Sequence, residues 1–363
     1  MSSCCPAKTN DITDDVKDYY GKKLQTADDL QTTACTTPAQ KMPKYVRDVM
    51  ALIHDEVVSK YYGCGLVVPD CLEDMKILDL GSGSGRDCYA LSKLVGKDGF
   101  VIGIDMTDEQ LEVANRHVDY HMKAFGFDKP NITFVKGFIE KLKDAGIADN
   151  SVDIIVSNCV INLCKDKHEV LSEAYRVLKE GGELYFSDVY ADRVLSDDIR
   201  SHKVLWGECI SGALHWKQLF DLAKDVGFEI PRTVAYSDLK ITKPELKEVL
   251  GDAKFVSVMY RLFKLPKDAD RNASQVIYNG TVTDNQNEIK FDHNLTFKNG
   301  APITIDGDTA AILKQSRFKE DFMFQKAPCC AKYSEVKEEN PFNLLESGGA
   351  INQGGSCCAG SCC

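Results

Sequence analysis

Fifteen cysteines supply most of the reactive side chains in this 363-residue chain. Four vicinal pairs lie near the chain ends: Cys4–Cys5, Cys329–Cys330, Cys357–Cys358 and Cys362–Cys363. The other seven are isolated: Cys35, Cys64, Cys71, Cys88, Cys159, Cys164 and Cys209. Because an odd number cannot be fully paired, and disulfide scaffolds are typically short secreted chains, we expect reduced thiols. Such thiols serve as ligands of soft metals or as redox groups.

The spacing of four isolated cysteines argues against a zinc finger. Cys35, Cys64, Cys159 and Cys209 are separated by 29, 95 and 50 residues, whereas finger ligands come in C-x₂₋₄-C pairs. Cys35 lies in a polar loop and Cys64 in a glycine-flanked turn, so both are able to swing. Cys159 follows a predicted strand and is held there. From the residues alone, each of these cysteines is either a ligand or a small buried hydrophobe.

A glycine-rich turn is the second candidate site. Met75–Leu80 is an apolar run that predicts a short buried strand, three glycines follow on alternate positions, and Arg86–Val95 has a helical pattern. A strand, a glycine turn and a helix open nucleotide-binding α/β domains, because glycine lets a ligand approach and the helix start offers free N–H groups. The pattern is G-x-G-x-G rather than G-x-G-x-x-G, so pyrophosphate binding is less well supported.

An acidic residue stands where such a domain binds a ribose. Asp105 ends the predicted strand Phe100–Ile104, a position at which a carboxylate accepts hydrogen bonds from a ribose diol. Asp105 also stands before a helix that begins near Thr107, and capping that helix is compatible with binding. The predicted cofactor-binding residues are Asp79, Gly81, Gly83, Gly85, Arg86, Asp105, Met106, Phe138, Ile139 and Asn158.

Alternating strands and helices must position these residues. The predicted strands after Met75–Leu80 are Phe100–Ile104, Asn131–Lys136, Val152–Ser157 and Glu183–Ser187, with helices between them. This alternation predicts an α/β fold with a parallel, doubly wound sheet over residues 72–190, followed by an α+β appendage. Ligands of such sheets bind beyond the carboxyl ends of the strands, where the candidate residues converge.

Composition narrows the class of partner. The formal net charge of −11 argues against nucleic acid as a partner, since phosphate binding needs a basic surface. No apolar run approaches membrane-spanning length, and the N-terminus has no apolar signal region. We therefore expect a cytosolic monomer that does not bind membranes.

Several motifs resemble those of the animal-type arsenite S-adenosylmethionine methyltransferases. They are KYYGCGL (Lys60–Leu66), ILDLGSGSGRDCY (Ile77–Tyr89), GIDMT (Gly103–Thr107), SNCVINL (Ser157–Leu163), GGELYFSDVY (Gly181–Tyr190), HKVLWGEC (His202–Cys209), QVIYNG (Gln275–Gly280) and AAILKQSRF (Ala310–Phe318). The resemblance spans residues 11–325. The glycine motif is common to methyltransferases, whereas the four cysteines together with WGEC are specific to this family.

The resemblance implies a fold, a reaction and a role for each of four cysteines. The fold is a Rossmann-like class I methyltransferase domain, with S-adenosylmethionine as methyl donor and no metal cofactor. Cys159 and Cys209 would bind trivalent arsenic, Cys64 would be a third thiolate, and Cys35 would form a disulfide with Cys64 during turnover. The substrate would be arsenite or its glutathione conjugate, with mono- and dimethylated products and thioredoxin or glutathione as reductant, in arsenic detoxification.

Elementary chemistry agrees with these roles. Trivalent arsenic is thiophilic and carries a lone pair, so it is itself the nucleophile and no general base is required. Methylation raises arsenic to the pentavalent state, and a dithiol that becomes a disulfide supplies the two electrons for its return. Two other interpretations stay open: a methyltransferase for a small organic acceptor, which would need a base, and a thiol-rich metal sensor or buffer.

The resemblance also divides the chain into five predicted segments. Residues 1–71 hold N-terminal helices with Cys35 and Cys64, and residues 72–190 bind S-adenosylmethionine. Residues 191–265 form an arsenic-binding middle region, 266–326 a C-terminal α+β domain, and 327–363 a flexible cysteine-rich tail. Glu208, next to Cys209, is expected either to line the arsenic pocket or to solvate the surface. Cys71, Cys88 and Cys164 receive no role.

Overall fold

A computed structural model describes residues 13, 16–17, 19–20, 42–61, 65–330, 332–333 and 335–347. Its strands are β1 Lys76–Leu80, β2 Phe100–Asp105, β3 Ile132–Lys136, β4 Val152–Asn158, β5 Leu178–Ala191, β6 Leu214–His215, β7 Arg232–Leu239, β8 Phe255–Phe263, β9 Ser274–Tyr278, β10 Glu288–Lys290, β11 Thr296–Lys298, β12 Pro302–Ile305 and β13 Phe322–Lys326. Its α-helices are α1 Lys44–Met50, α2 Asp55–Ser59, α3 Arg86–Val95, α4 Asp108–Arg116, α5 Val118–Phe125, α6 Lys167–Val177, α7 Asp197–Arg200, α8 Lys203–Gly207, α9 Trp216–Val226, α10 Pro244–Leu250, α11 Gly307–Gln315 and α12 Pro341–Glu346.

An eight-stranded sheet forms the centre of the molecule, with the order β3-β2-β1-β4-β5-β8-β7 and β6 paired to β5. Strands β1 to β5 run parallel, whereas β8 is antiparallel to β5 and β7 is antiparallel to β8. The chain order reverses between β1 and β4, and such a switch point opens a ligand crevice beyond the strand ends. The predicted α/β fold with an α+β appendage is confirmed.

Burial on both faces explains why the parallel strands are apolar. Each central strand packs against helices above and below, so β1 and β4 consist mostly of buried aliphatic side chains. Helix α6 begins where the Asp166 carboxylate accepts the backbone N–H of Glu169. Helix α5 ends at Gly126, whose left-handed backbone allows its N–H to reach the last helical carbonyls.

The C-terminal part has a core of its own, covered by the sheet β12-β9-β13, the hairpin β10-β11 and helix α11. A buried ionic cluster joins this part to the central sheet. Glu183 of β5 lies 2.5 Å from the Arg261 guanidinium and 2.5 Å from that of Arg317, and all three side chains are buried. Although burial raises the pKa of Glu183, the two arginines outweigh it and lower that pKa overall.

Several elements differ from the sequence-based expectation. The single helix predicted over 107–125 is two helices that meet at His117. Strand β7 and helix α10 were not predicted. Both belong to residues 191–265, where β7 and β8 extend the central sheet beyond β5. Helix α12 lies within the segment predicted as a flexible tail. The helix is stabilised there because the Asn340 side chain caps its start and Phe342 and Leu345 pack on the core. No helix among the described residues is long and apolar enough to span a bilayer.

Candidate functional site

The glycine loop lies at the switch point and exposes its backbone to a cavity. Gly81, Gly83 and Gly85 have φ values of +72°, +51° and +88°, a left-handed region that favours glycine. A Cβ on Gly81 would lie 2.5 Å from Val160, so this glycine packs against the loop after β4. Among the described residues, a Cβ on Gly83 would meet only Gln110, at 3.9 Å. Gly83 therefore leaves its backbone open to a ligand.

Asp105 links the glycine loop to the end of β2. Its carboxylate accepts the backbone N–H of Gly83 at 2.9 Å and that of Thr107 at 2.8 Å. Burial raises the pKa of Asp105, and these hydrogen bonds oppose that shift. Asp105 also lines the cavity, so the same residue stands at the helix start and at the place expected for a ribose.

Two further acidic residues lie beneath the loop. Asp79 is buried and accepts the Cys88 thiol at 3.0 Å, and burial raises the pKa of its carboxyl well above the usual value. Asn158, the last residue of β4, donates to the Asp87 carboxylate at 3.1 Å and to the Gly65 carbonyl at 2.9 Å. A cationic ligand group would offset the buried negative charge at this end of the cavity.

Eight of the ten predicted cofactor-binding residues line this cavity: Asp79, Gly81, Gly83, Asp105, Met106, Phe138, Ile139 and Asn158. The other two do not. A Cβ on Gly85 would lie 2.7 Å from Phe134, so Gly85 serves helix packing. Arg86 turns away from the cavity, stacks on the Tyr61 ring and donates to the Gly65 carbonyl at 2.6 Å.

The cavity also contains residues that the sequence did not reveal: Val16, Tyr20, Tyr61, Ser82, Asp87 and Gln110. Within the described chain, the buried Ser82 hydroxyl and the Gln110 carbonyl oxygen have no hydrogen-bond partner. Buried polar atoms are normally satisfied, so these two are free to bond a ligand. A cavity with open backbone, an acidic residue at the end of β2 and spare polar atoms fits S-adenosylmethionine.

Cys159 and Cys209 lie side by side at the edge of this cavity. The Cys209 thiol donates to the Cys159 carbonyl oxygen at 2.7 Å, and both side chains are buried in one apolar cluster. Cys159 also lines the cavity. Their φ values are +56° for Cys159 and +62° for Cys209. A left-handed backbone is costly for a residue with a Cβ, at about 1–3 kcal/mol, and such strain clusters at functional sites.

Asn162 and Asp188 hold the Cys209 turn in place. The Asn162 side-chain amide donates to the Val189 carbonyl at 2.7 Å and to the Cys209 carbonyl at 3.2 Å. Asp188 in turn accepts the backbone N–H of Asn162 at 2.9 Å. Burial raises the pKa of Asp188 to about 7, against the opposing effect of those backbone N–H donors and of Lys167. All the bonds converge where β5 ends.

An N-terminal segment covers the same turn. The Tyr19 hydroxyl donates to the Glu208 carboxylate at 2.5 Å, and the Tyr20 hydroxyl donates to the Gly207 carbonyl at 2.7 Å. Glu208 is 0% exposed, so the expectation that it solvates the surface is wrong. Because Tyr20 also lines the cofactor cavity, this segment contacts both halves of the site.

The remaining cysteines occupy varied positions. Cys35 and Cys64 lie outside the described residues. Cys159 takes part in a disulfide, which the sequence analysis did not predict, and no other described cysteine is its partner. Cys88 is buried beside Asp79 and Cys164 is half-buried beside Glu140, and burial raises the pKa of both thiols. Neither is poised for ionisation.

Comparison with known proteins identifies two family models and several relatives that match this chain. Residues 72–227 match the family model described as "Methyltransferase domain", and residues 271–363 match "Arsenite methyltransferase C-terminal domain". The arsenite methyltransferase of Rattus norvegicus is 54% identical over 93% of this chain and 92% of its own length. That of Homo sapiens is 52% identical over 97% of this chain and 96% of its own length.

A solved structure shows the same similarity in three dimensions. An arsenic(III) S-adenosylmethionine methyltransferase from Chlamydomonas reinhardtii superposes with a TM-score of 0.76 at 42% sequence identity. The match covers 82% of this chain and 100% of the algal one. Because the methyltransferase domain spans only residues 72–227, a match over 82% of the chain is not confined to that domain.

Proposed function

Because this chain belongs to the arsenite methyltransferase family and methylates arsenic(III) with S-adenosylmethionine, we propose that Cys159 and Cys209 bind the arsenic that accepts the methyl group. One observation carries this proposal. The Cys209 thiol lies 2.7 Å from the Cys159 carbonyl oxygen, at the edge of the cavity that the glycine loop lines. Once the disulfide at Cys159 is reduced, two sulfur ligands lie next to the cofactor site.

The cofactor supplies an activated methyl group bonded to a sulfonium sulfur. In this chain the open backbone of Gly83 and the carboxylates of Asp79 and Asp105 would hold it. Asp105 is placed for the ribose hydroxyls, because it stands at the end of β2. The buried Asp79 favours a nearby cationic group, which lowers the free-energy cost of burying its own charge.

The acceptor thiols position the substrate and need no base to activate it. Arsenic(III) binds soft thiolates and keeps a lone pair, which forms the new bond to carbon. Positioning two reacting groups supplies about 7–11 kcal/mol of barrier reduction in favourable cases. The left-handed turns at Cys159 and Cys209 provide that positioning, since neighbouring bonds hold the strained backbone.

A disulfide cycle completes our proposal. Formation of the arsenic–carbon bond oxidises arsenic(III) to arsenic(V), and two thiols that become one disulfide return two electrons. We assign Cys64 as the third thiolate and Cys35 as its disulfide partner. The disulfide at Cys159 supports thiol–disulfide exchange at this site. Tyr61 and Gly65, which precede and follow Cys64 in the sequence, are both hydrogen-bonded to Asn158 beside Cys159, which supports the role assigned to Cys64.

An external reductant must reopen the disulfide after each cycle. We propose thioredoxin or glutathione, which keep thiols reduced in the cytosol. With repeated cycles the products are mono- and dimethylated arsenicals, and arsenite or its glutathione conjugate is the entering substrate. The enzyme acts as a monomer in this proposal, in arsenic detoxification.

Arsenic speciation after incubation with labelled S-adenosylmethionine, arsenite and glutathione tests these assignments. We expect Cys159→Ser and Cys209→Ser to lose every methylation step. Cys35→Ser should lose arsenite methylation but keep methylation of monomethylarsonous acid, which occupies fewer thiols. Cys71→Ser is the matched control, because this half-buried thiol lies 3.6 Å from the Asp321 carboxylate and packs on the C-terminal core, away from the acceptor thiols.

Retention of arsenite methylation by Cys159→Ser or Cys209→Ser would overturn the acceptor assignment. Cofactor binding, measured by calorimetry in the same variants, should be preserved. A variant that loses both methylation and cofactor binding has lost the folded site. The same cysteine is then replaced by alanine, and both measurements are repeated.

A further inference from the structure

A vicinal thiol pair lies outside the site described so far. Cys329 and Cys330 follow β13 in a turn, and both side chains are exposed free thiols. Their sulfur atoms lie 3.9 Å apart, on the same side of the turn. Adjacent cysteines are free to turn their side chains apart, so this approach is a specific property of the segment.

The separation of the two sulfur atoms allows a single shared ligand. An ion bound at about 2.3 Å from each sulfur can bridge two sulfurs that lie up to about 4.6 Å apart, so the observed 3.9 Å is within its reach. We propose that Cys329 and Cys330 form a second, non-catalytic binding site for trivalent arsenic. This proposal is independent of the roles assigned to Cys159 and Cys209.

The number of ligands favours arsenic over zinc. Structural zinc takes four protein ligands, whereas this pair supplies two. Among the described residues, the one group of three or more potential metal ligands is His54, Glu56 and His117, elsewhere in the chain. Arsenic(III) takes three ligands, and a solution thiol or hydroxide provides the third. No additional side chain is therefore needed.

The binding step balances without an oxidant. Arsenous acid and the two protein thiols form two arsenic–sulfur bonds and release two water molecules, and the third hydroxyl stays on arsenic. A glutathione thiol then replaces that hydroxyl and releases a third water. Arsenic remains trivalent, both sulfurs remain thiolate ligands, and the reductant brings the third ligand.

The position of the pair separates it from methyl transfer. Lys326, three residues before the pair, is in register with Ser274 of β9. Arg271, three residues before the start of β9, forms an ion pair with Glu229 at 2.7 Å. The Glu229 backbone N–H in turn donates to the Phe263 carbonyl at the end of β8. The end of β8 lies beside the start of β5. The pair is therefore at the opposite end of the central sheet from the acceptor thiols, which lie beyond the strand ends.

Counting bound arsenic in the full-length chain tests the proposal. The parent variant has serine at the four tail positions, which are Cys357, Cys358, Cys362 and Cys363. It is incubated with arsenite and glutathione, and native mass spectrometry gives the arsenic atoms per chain. We expect Cys329→Ser, Cys330→Ser and the double variant each to bind one arsenic fewer than the parent. Loss of either thiol should weaken binding roughly 10²-fold, because the second bond forms intramolecularly.

Methylation by the same variants should stay within about twofold of the parent. Cys71→Ser is the matched control, since this half-buried thiol has an Asp321 carboxylate at 3.6 Å and its replacement should not change the count. An unchanged count in the double variant overturns the proposal. So does a pair that binds Zn²⁺ added alone but takes up no arsenite. Because binding and turnover are measured separately, failure here leaves the acceptor assignment untouched.

Discussion

Replacement of Asn162 by alanine tests whether a buried amide positions the acceptor thiol. The Asn162 side chain donates to the carbonyls of Val189 and Cys209, which are 27 and 47 residues away. Alanine leaves both carbonyls short of one donor in a buried environment. An unsatisfied buried group costs about 1–3 kcal/mol, and Val189 keeps its neighbours in the sheet. We expect the free energy of unfolding to fall by about 2 kcal/mol.

The effect on arsenic methylation should exceed this loss of stability. Without the amide, the turn at Cys209 relaxes from its left-handed conformation, whose cost is about 1–3 kcal/mol. Each 1.36 kcal/mol is tenfold in rate, so kcat/KM for arsenite should fall about tenfold or more. Binding of S-adenosylmethionine should change less than twofold, because Asn162 does not line the cofactor cavity.

A second buried asparagine provides the control. Asn131 donates its side-chain amide to the carbonyls of Ser92 at 2.9 Å and Gly96 at 2.8 Å, beside β3. Asn131→Ala removes the same chemical groups and has the same stability cost, far from the acceptor thiols. Urea unfolding and steady-state kinetics are measured for both variants below their unfolding transitions. Equal losses of kcat/KM for arsenite would refute a positioning role and leave Asn162 as a packing residue.

Three further predictions concern the cofactor cavity, pH and the ionic cluster. Gly83→Ala should weaken S-adenosylmethionine binding in calorimetry with a stability loss of only about 1 kcal/mol, because its Cβ would enter the cavity, whereas Gly81→Ala should mainly lower stability, since its Cβ would clash with Val160. The raised pKa of Asp188 means that its ionised form is disfavoured in the fold. The resulting destabilisation is absent below about pH 4, grows as pH rises and is complete above about pH 7. Asp188→Asn cannot titrate at this position. Its free energy of unfolding minus that of the native chain, measured by urea unfolding, should therefore rise by about 2–3 kcal/mol between pH 5 and pH 8. A difference that does not change with pH would contradict the raised pKa. Glu183→Gln should cost about 3–5 kcal/mol, because it leaves buried Arg261 and Arg317 without their counter-charge. Glu56→Gln, at the surface pair with Arg116, should have a much smaller effect on the same measurement.

Strands buried on both faces were predictable because one physical demand shapes their sequence. A parallel strand between two helical layers must be apolar along its whole length, so β1, β2 and β4 were located within one or two residues. Strand β7 lies at the sheet edge and contains Arg232, Ser237 and Asp238, so no apolar run marked it. Helix α12 is too short to show a helical period, and a side-chain cap and packing against the core stabilise it.

The cofactor cavity was predicted where its residues follow strand ends. Asp79, Asp105 and Asn158 stand at or next to the ends of β1, β2 and β4, and parallel strands bring their ends together. Gly85 and Arg86 do not line the cavity, because the motif continues past the cavity lining into the start of α3. The missed residues Tyr20 and Gln110 reach the cavity from other elements, and no local signal marks such contacts.

The acceptor side shows a stricter limit on inference from sequence. A cysteine with a left-handed backbone adopts that conformation only when its surroundings favour it over the relaxed alternatives. At Cys209 these surroundings are an amide 47 residues earlier in the chain and a tyrosine hydroxyl on Glu208 from 189 residues earlier. A motif therefore identifies the thiol but not the groups that hold it. In the acceptor site that we propose, those groups set how closely arsenic approaches the methyl donor, so they should control turnover as strongly as the cysteines control binding.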